Sequence, residues 1–188
     1  IDADDMRYVM EAVSQTKKAL NGRVPLIGFA GSPWTMACYL VEGQGSKIWL
    51  KPRTMLYQQP ELMHALLNKL VQSTIHYLNG QIEAGADAIM LFDTWGGVLA
   101  NQQYLQFSLQ YMQKIAAGLN LKRDDQAIPL VFFTKNAAPW LQQIAGSGCD
   151  GVGIDSTMDL QVVKDTIGDK VALQGNLDPC VLFSGENK

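Results

Sequence analysis

Polar side chains able to do chemistry recur at one kind of position in this sequence, the carboxyl end of a short apolar run. Asp93 and Thr94 close the run that starts at Ala88, and Lys135 follows Leu130-Val131-Phe132-Phe133-Thr134. Asp155 follows Gly151-Val152-Gly153-Ile154, while Asn176 and Asp178 follow the run from Val171. Asp93, like Glu42 earlier in the chain, has the chemistry of a general acid or base. Carboxylates at strand and helix ends serve equally well as local caps, so residue type leaves both roles open. Trp34, Trp95 and Trp140 each lie just after an apolar run, where an indole can line a flat apolar pocket or pack a loop. His64 and His76 share one helical pattern, with no third ligand at metal spacing and no H-E-x-x-H. Both are read as exposed helix residues, and no metal site is expected. Cys38, Cys149 and Cys180 are odd in number and widely spaced, which predicts small core hydrophobes in a reducing, cytoplasmic compartment rather than a disulfide framework.

For those polar positions to converge, the runs before them must be strands whose ends meet. Met6, Val9, Met10, Val13 and Leu20 recur at helical spacing up to Asn21-Gly22. The nearly continuous apolar run over 24–31 predicts a strand buried on both faces. Ser32-Pro33 then offers an N-cap and a proline for the first helical position. That opens a helix carrying Trp34, Cys38, Tyr39 and Val41, followed by a loop over 42–45. Gln59-Pro60-Glu61 starts a long amphipathic helix bearing Leu62, Leu66, Leu70, Leu78 and Ile82 and ending near Gly85. Further strands are expected over 88–93, 130–134, 151–155 and 171–176, with helices over 101–118, about 139–145, and through Leu160, Val163 and Ile167. Buried strands alternating with helices make the class α/β with a parallel sheet. Pattern alone leaves two forms open, a doubly wound sheet and a (β/α)8 TIM barrel, although the glycines form neither G-x-G-x-x-G nor G-x-x-x-x-G-K. In a barrel the strand ends build the active site, and about five βα units of the eight would be present.

At 188 residues, 47% apolar and 18% charged, the chain can bury a sizeable core and is read as a single domain over 1–188. A net charge of −3 gives no electrostatic reason to bind nucleic acid or an anionic membrane. No apolar run approaches bilayer-spanning length. The acidic, helix-like start Ile1-Asp2-Ala3-Asp4-Asp5 is unlike a signal peptide. Because the chain opens on Ile1 inside a helical pattern and stops just after a strand, it is expected to be an interior piece of a larger protein.

Three segments carry a resemblance. Pro25-Leu26-Ile27-Gly28-Phe29-Ala30-Gly31-Ser32-Pro33-Trp34-Thr35, continued by Tyr39-Leu40-Val41-Glu42-Gly43, resembles the signature segment of the uroporphyrinogen decarboxylase family. Phe92-Asp93-Thr94-Trp95-Gly96-Gly97-Val98-Leu99 resembles the family's next marker in its bacterial form, and Leu173-Gln174-Gly175-Asn176-Leu177-Asp178-Pro179 a third. The resemblance covers essentially the whole chain and corresponds to the central-to-late part of the family's barrel.

What this implies is a cofactor-free carboxy-lyase of haem biosynthesis, cytoplasmic and homodimeric as a complete protein. Its reaction converts the four acetate side chains of uroporphyrinogen III to methyls, giving coproporphyrinogen III. Two family substrate-contact positions carry over, Tyr39 and Thr94, both hydroxyls able to bond substrate carboxylates without adding charge. No catalytic residue is expected in the chain itself: the family's Arg-bearing loop and catalytic aspartate would precede Ile1, and a substrate-contacting His would follow Lys188. Asp155-Ser156-Thr157 lacks the family's aromatic between Asp and Thr, and Lys135-Asn136-Ala137-Ala138 stands in place of a Gly-rich turn. A zinc-dependent thiol or cobamide methyltransferase of the same superfamily would need a His-x-Cys pair, which Phe133-Thr134-Lys135-Asn136 does not supply. A non-catalytic porphyrin-binding homologue is the other alternative, and the residues that would separate it lie outside the chain.

Overall fold

The computed structural model describes residues 6–185, so the expected helical start over 1–5 and the last three positions lie outside the described residues. Helix α1 (Arg7–Leu20) stops where Asn21 turns left-handed at φ 48° and its N–H reaches the carbonyls of Lys17 and Lys18, a role open to Gly and Asn but costly for most residues. Strand β1 (Ile27–Gly31) leads into α2 (Pro33–Glu42), whose start follows the expected chemistry: the Ser32 hydroxyl accepts the Thr35 N–H and Pro33 takes the first helical position. Next come α3 (Leu50–Gln58) and the long α4 (Pro60–Ala84), which ends at Gly85 with φ 119°. Strand β2 (Ala88–Asp93) is followed by α5 (Asn101–Tyr104), a π-helical segment (Leu105–Leu109) and α6 (Gln110–Gly118). A two-stranded hairpin, β3 (Lys122–Arg123) and β4 (Gln126–Ala127), precedes β5 (Leu130–Thr134). Helix α7 (Leu141–Ala145), β6 (Gly151–Gly153), α8 (Leu160–Ile167) and β7 (Ala172–Gln174) complete the series.

The main sheet runs β1-β2-β5-β6-β7, every neighbour parallel. Successive strands add on one side only and the order never reverses, which excludes the doubly wound alternative. The fold is α/β, an incomplete (β/α)8 barrel whose five-stranded sheet leaves β1 and β7 as edges. One face of the sheet is closed by the helices: Ile89, Leu91, Leu130, Phe132 and Val152 are fully buried. Burial on both faces, expected for β1, is not observed. Ile27 is 46% and Phe29 59% exposed, because alternate residues of β1 point to the concave side, which the described residues do not enclose. At Phe29 the side-chain amide of Gln81 bonds both backbone groups, accepting the N–H and donating to the carbonyl at 3.0 Å each. A side chain thus stands where a neighbouring strand would pair.

Three further departures have physical causes. Helix α3 carries no clear apolar period, and Pro52 sits in its first turn, where a proline is tolerated. The stripe of α4 is Met63, Leu67, Val71, Thr74, Leu78 and Ile82, so Leu62 is exposed and Leu66 and Leu70 are only partly buried. Leucines spaced strictly by four drift around a helix of 3.6 residues per turn, and the buried stripe follows the helix. Cys38 and Cys149 are buried as expected, but Cys180 is exposed in the short 3-10 turn after β7. Among the described residues no helix is long and apolar enough to cross a membrane.

At the amino end of the sheet one carboxylate ties four segments together. Lys17 of α1 lies 2.6 Å from both oxygens of Asp87, the Leu26 N–H donates to it at 2.7 Å, and the Arg123 guanidinium stands 3.6 Å away. Arg123 also donates to the carbonyls of Ile82 and Ala86. Burial works to raise the Asp87 carboxyl, yet the Lys17 and Leu26 hydrogen bonds and the two cations together hold it below its ordinary 3.8. A carboxyl lowered in the folded state adds stability that is complete above the unfolded pKa and disappears as pH falls through the folded one. Asp87→Asn is therefore expected to lose about 1–2 kcal/mol near neutral pH. In urea titrations the difference from wild type should shrink as pH drops below 3.8; a difference that stays constant into acid would contradict the assignment.

Candidate active site

The carboxyl ends of β1, β2 and β5 meet around Asp93, which is fully buried. Four hydroxyls donate to its carboxyl: Ser32 at 2.6 Å and Thr35 at 3.2 Å to Oδ1, Ser108 at 2.7 Å and Thr134 at 3.4 Å to Oδ2. The Tyr104 hydroxyl lies 3.0 Å from Thr134 and extends the chain. Burial pushes the Asp93 carboxyl up and the four hydroxyls pull it part of the way back. Burial, followed by the charge of Asp93, raises Tyr104 as well. The Cys38 thiol is raised by burial first, then by Asp93 and Glu42, so it is no nucleophile at neutral pH.

Local structure is bent to serve this cluster. Asp93 pairs with Thr134 in the β2–β5 register, which puts both on the helix-facing side of the sheet. The π segment buries Phe107, Ser108 and Leu109 in succession, three neighbours that a regular α-helix would spread around its axis. Ser108 is the one that reaches Asp93. Gly96 opens the short 3-10 turn after Trp95, and a Cβ there would collide with the Asp93 carboxylate and the Thr134 methyl.

Above the cluster lies an aromatic group. Trp49, fully buried with φ 51°, is anchored by the Ser46 hydroxyl, which accepts its N–H at 3.0 Å. Its ring packs edge-on to Tyr39 at 4.9 Å and tilted against Trp95 at 4.9 Å, and the Tyr39 and Trp95 rings lie 6.5 Å apart. Tyr39 remains 44% exposed. Thr94, half-buried, is the residue before Trp95 in the same turn. The two sequence-selected hydroxyl residues thus belong to one end of the sheet, joined through Trp95. On the concave side, Phe92 contacts Phe29 at 5.9 Å and Phe133 at 5.8 Å, edge to face.

Several other candidates have plainer roles. Glu42 accepts the Lys51 N–H at 3.0 Å, a cap for α3. Asp155 accepts N–H bonds from Asn136 and Thr157. Its carboxyl is raised by burial but brought below 3.8 by the Thr157 and Asn136 bonds and by Lys135. Asn176 bonds the carbonyls of Asp155 and Met158, so both are turn-makers, while Lys135 is exposed. Trp34 is buried with its indole donating to the Trp95 carbonyl at 3.0 Å, and Trp140 stacks on Tyr104 at 4.1 Å; both pack loops. His76 is exposed. His64 is not: its ring stacks on Phe107 at 4.5 Å and its Nδ1 is bonded to the Tyr111 hydroxyl at 2.5 Å, because α4 turns that face toward the π segment and α6.

A family profile described as "Uroporphyrinogen decarboxylase (URO-D)" matches residues 1–188. The chain belongs to the uroporphyrinogen decarboxylase family. It is 58% identical over 179 residues to a uroporphyrinogen decarboxylase of Coxiella burnetii, covering 95% of this chain and 50% of that protein. Against the Vibrio cholerae protein of the same name identity is 55%, covering 96% and 51% respectively. The chain therefore spans about half the length of the curated relatives it matches. Among solved structures, a methyltransferase from Methanosarcina mazei superposes with a TM-score of 0.77 at 24% identity, covering 90% of this chain and 48% of that one. That likeness concerns the fold alone.

Within this member of the decarboxylase family, sequence reasoning singled out Asp93, Tyr39 and Thr94 but missed Ser32, Thr35, Ser108 and Thr134 as its partners, and Trp49 altogether. The marker run itself held one signal, Gly96-Gly97 directly after Asp93-Thr94-Trp95, since adjacent glycines mark a close approach. Gly96→Ala is expected to destabilise the fold by about 2–3 kcal/mol through overpacking. Gly45→Ala, in a loop where a Cβ meets nothing within 4 Å, should stay within about 0.5 kcal/mol of wild type. Thermal melts of the two variants side by side check this, and equal midpoints would refute the close packing of Gly96 on Asp93.

Proposed function

We propose that this chain is the central-to-late part of a uroporphyrinogen decarboxylase, with residues 1–188 lying in one barrel domain. The protein so completed removes the carboxyl groups of the four acetate side chains of uroporphyrinogen III to give coproporphyrinogen III. Support comes chiefly from the family match along all 188 residues, with 58% and 55% identity to decarboxylases of two bacteria. In this reading the enzyme is a cytoplasmic homodimer that uses neither metal nor cofactor.

Each round breaks the bond between the acetate methylene and its carboxylate. The ring is first protonated at carbon, and the electron pair passes into it as CO2 leaves and an exocyclic methylene forms. A proton added to that methylene, with loss of the ring proton, then gives the methyl. Positive charge develops on the ring, and a fixed carboxylate in a closed pocket stabilises it. Here that group is the aspartate the family places before Ile1. Asp93 does not fill the role, since it is fully buried on the helix side of the sheet among hydroxyl donors. Tyr39 and Thr94 hold substrate carboxylates by hydroxyl donation, and Phe29, Phe92 and Phe133 offer an apolar edge-to-face surface to the macrocycle. The four arginines of the chain are Arg7, Arg23, Arg53 and Arg123. Three of them donate to backbone carbonyls of α1, of the α3 approach and of the α4–β2 turn. Gripping an octa-anion by bidentate pairing then falls to the Arg-bearing loop outside the chain.

The full-length parent protein should convert uroporphyrinogen to coproporphyrinogen, followed by chromatography of the oxidised porphyrins, whereas the isolated 188-residue chain should show no turnover. Tyr39→Phe and Thr94→Ala in the parent should each raise KM about tenfold with a smaller effect on kcat, the pattern of lost binding contacts. A parent that binds the porphyrin without releasing CO2 would overturn the decarboxylase reading in favour of a non-catalytic binder, and turnover by the isolated chain would overturn the placement of the catalytic aspartate outside it.

A further inference from the structure

We infer that Thr35 is a positioning residue, a link that sets the distance between Tyr39 and Thr94 and so matches the two hydroxyls to the carboxylates they hold; this rests on the decarboxylase reading above. Its hydroxyl does two things at once. It donates to Asp93 Oδ1 at 3.2 Å and accepts the backbone N–H of Trp95 at 3.2 Å. The first bond ties the opening turn of α2 to the end of β2, and the second ties it to the turn that follows. Tyr39 is four residues beyond Thr35 in the same helix, one turn along the same face. Thr94 lies between Asp93 and Trp95, the two partners of that hydroxyl. A single O–H group therefore joins the helix that carries one contact residue to both neighbours of the other.

Packing leaves that link little freedom. Thr35 is 6% exposed, and its own N–H is engaged by the Ser32 hydroxyl. Asp93 is also held by Ser108 and Thr134, which belong to other elements, so the carboxylate keeps its place when the Thr35 bond is lost. Trp95 is tied to α2 a second time by the Trp34 indole, which donates to its carbonyl, so the Thr35 bond adjusts a contact that is already close. Removing the Thr35 hydroxyl loosens α2 against the Thr94–Trp95 turn, while the Ser32–Asp93 and Trp34–Trp95 bonds keep the two folded together. Binding contacts that must act together are the ones such a shift weakens, and the chemical step, carried by groups elsewhere, is left largely intact.

The test uses the full-length parent protein with uroporphyrinogen as substrate. Thr35→Val keeps the shape and deletes the hydroxyl; Thr35→Ser keeps the hydroxyl. The valine variant is expected to raise KM about tenfold while kcat changes less than about threefold, with a shift in tryptophan emission as the Trp49–Trp95 contact relaxes. Serine should restore KM to within about twofold of wild type. In the Thr35→Val background, adding Tyr39→Phe or Thr94→Ala should cost less than in the wild type, because the contacts are already uncoupled. A valine variant with wild-type KM, or one that loses kcat and stability together at unchanged KM, overturns the positioning role. If the valine variant does not fold, a tenfold KM increase in the serine variant overturns it just as well. Wild-type parent protein that turns nothing over instead sinks the decarboxylase reading itself, so the two failures are separable.

Discussion

A carboxyl group taken wholly out of water must be hydrogen-bonded, and the carboxyl end of this sheet is arranged around one such group. Asp93 stands where the sheet meets its helices, and the partners around it are hydroxyls. An ionised carboxylate left bare in that position would cost several kcal/mol. Neutral donors reduce the cost without adding a second buried charge. The donors belong to the N-cap and first turn of α2, the π segment and the end of β5. Satisfying one side chain therefore locks several elements at the end of the sheet where Tyr39 and Thr94 lie.

Other local features follow from the same requirement. Ser32 serves twice, accepting the Thr35 N–H that starts α2 and donating to Asp93. The π segment widens the helix between α5 and α6 so that Ser108 points inward together with Phe107 and Leu109. Gly96 has no Cβ because the carboxylate occupies that space. The Ser32 cap is also favoured locally, but its bond to Asp93, the π segment and the missing Cβ at Gly96 all answer to the buried carboxylate.

The amino end of the sheet solves its electrostatic problem in the opposite way. Asp87 is met by Lys17 and Arg123 and is held below the usual carboxylate range. The Arg123 guanidinium is further occupied by two carbonyls. Cationic side chains there brace the sheet and are turned away from the end that bears Tyr39 and Thr94. At that end the protein offers hydroxyls and aromatic faces instead of cations. This is why the chain's net acidity and scattered arginines are compatible with its membership of the decarboxylase family.

Much of the fold is legible in the residues alone. Apolar runs separated by helical periods gave the strands and their class, Ser32-Pro33 and Gly85 marked helix ends, and the segments around Tyr39 and Thr94 carried the family resemblance. These are local signals, written in neighbouring residues, and they can be read without knowing which surfaces meet. Strand order, the exposed concave face of β1, the drift of the α4 stripe and the half-buried His64 depend on which surfaces meet. Residue type left Asp93 divided between acid–base work and capping; only its burial among hydroxyls 15 to 61 positions away settled it as the anchor of the site. Hydrogen bonds between distant segments leave no periodicity in the chain, and tertiary structure alone decides which polar groups must satisfy one another.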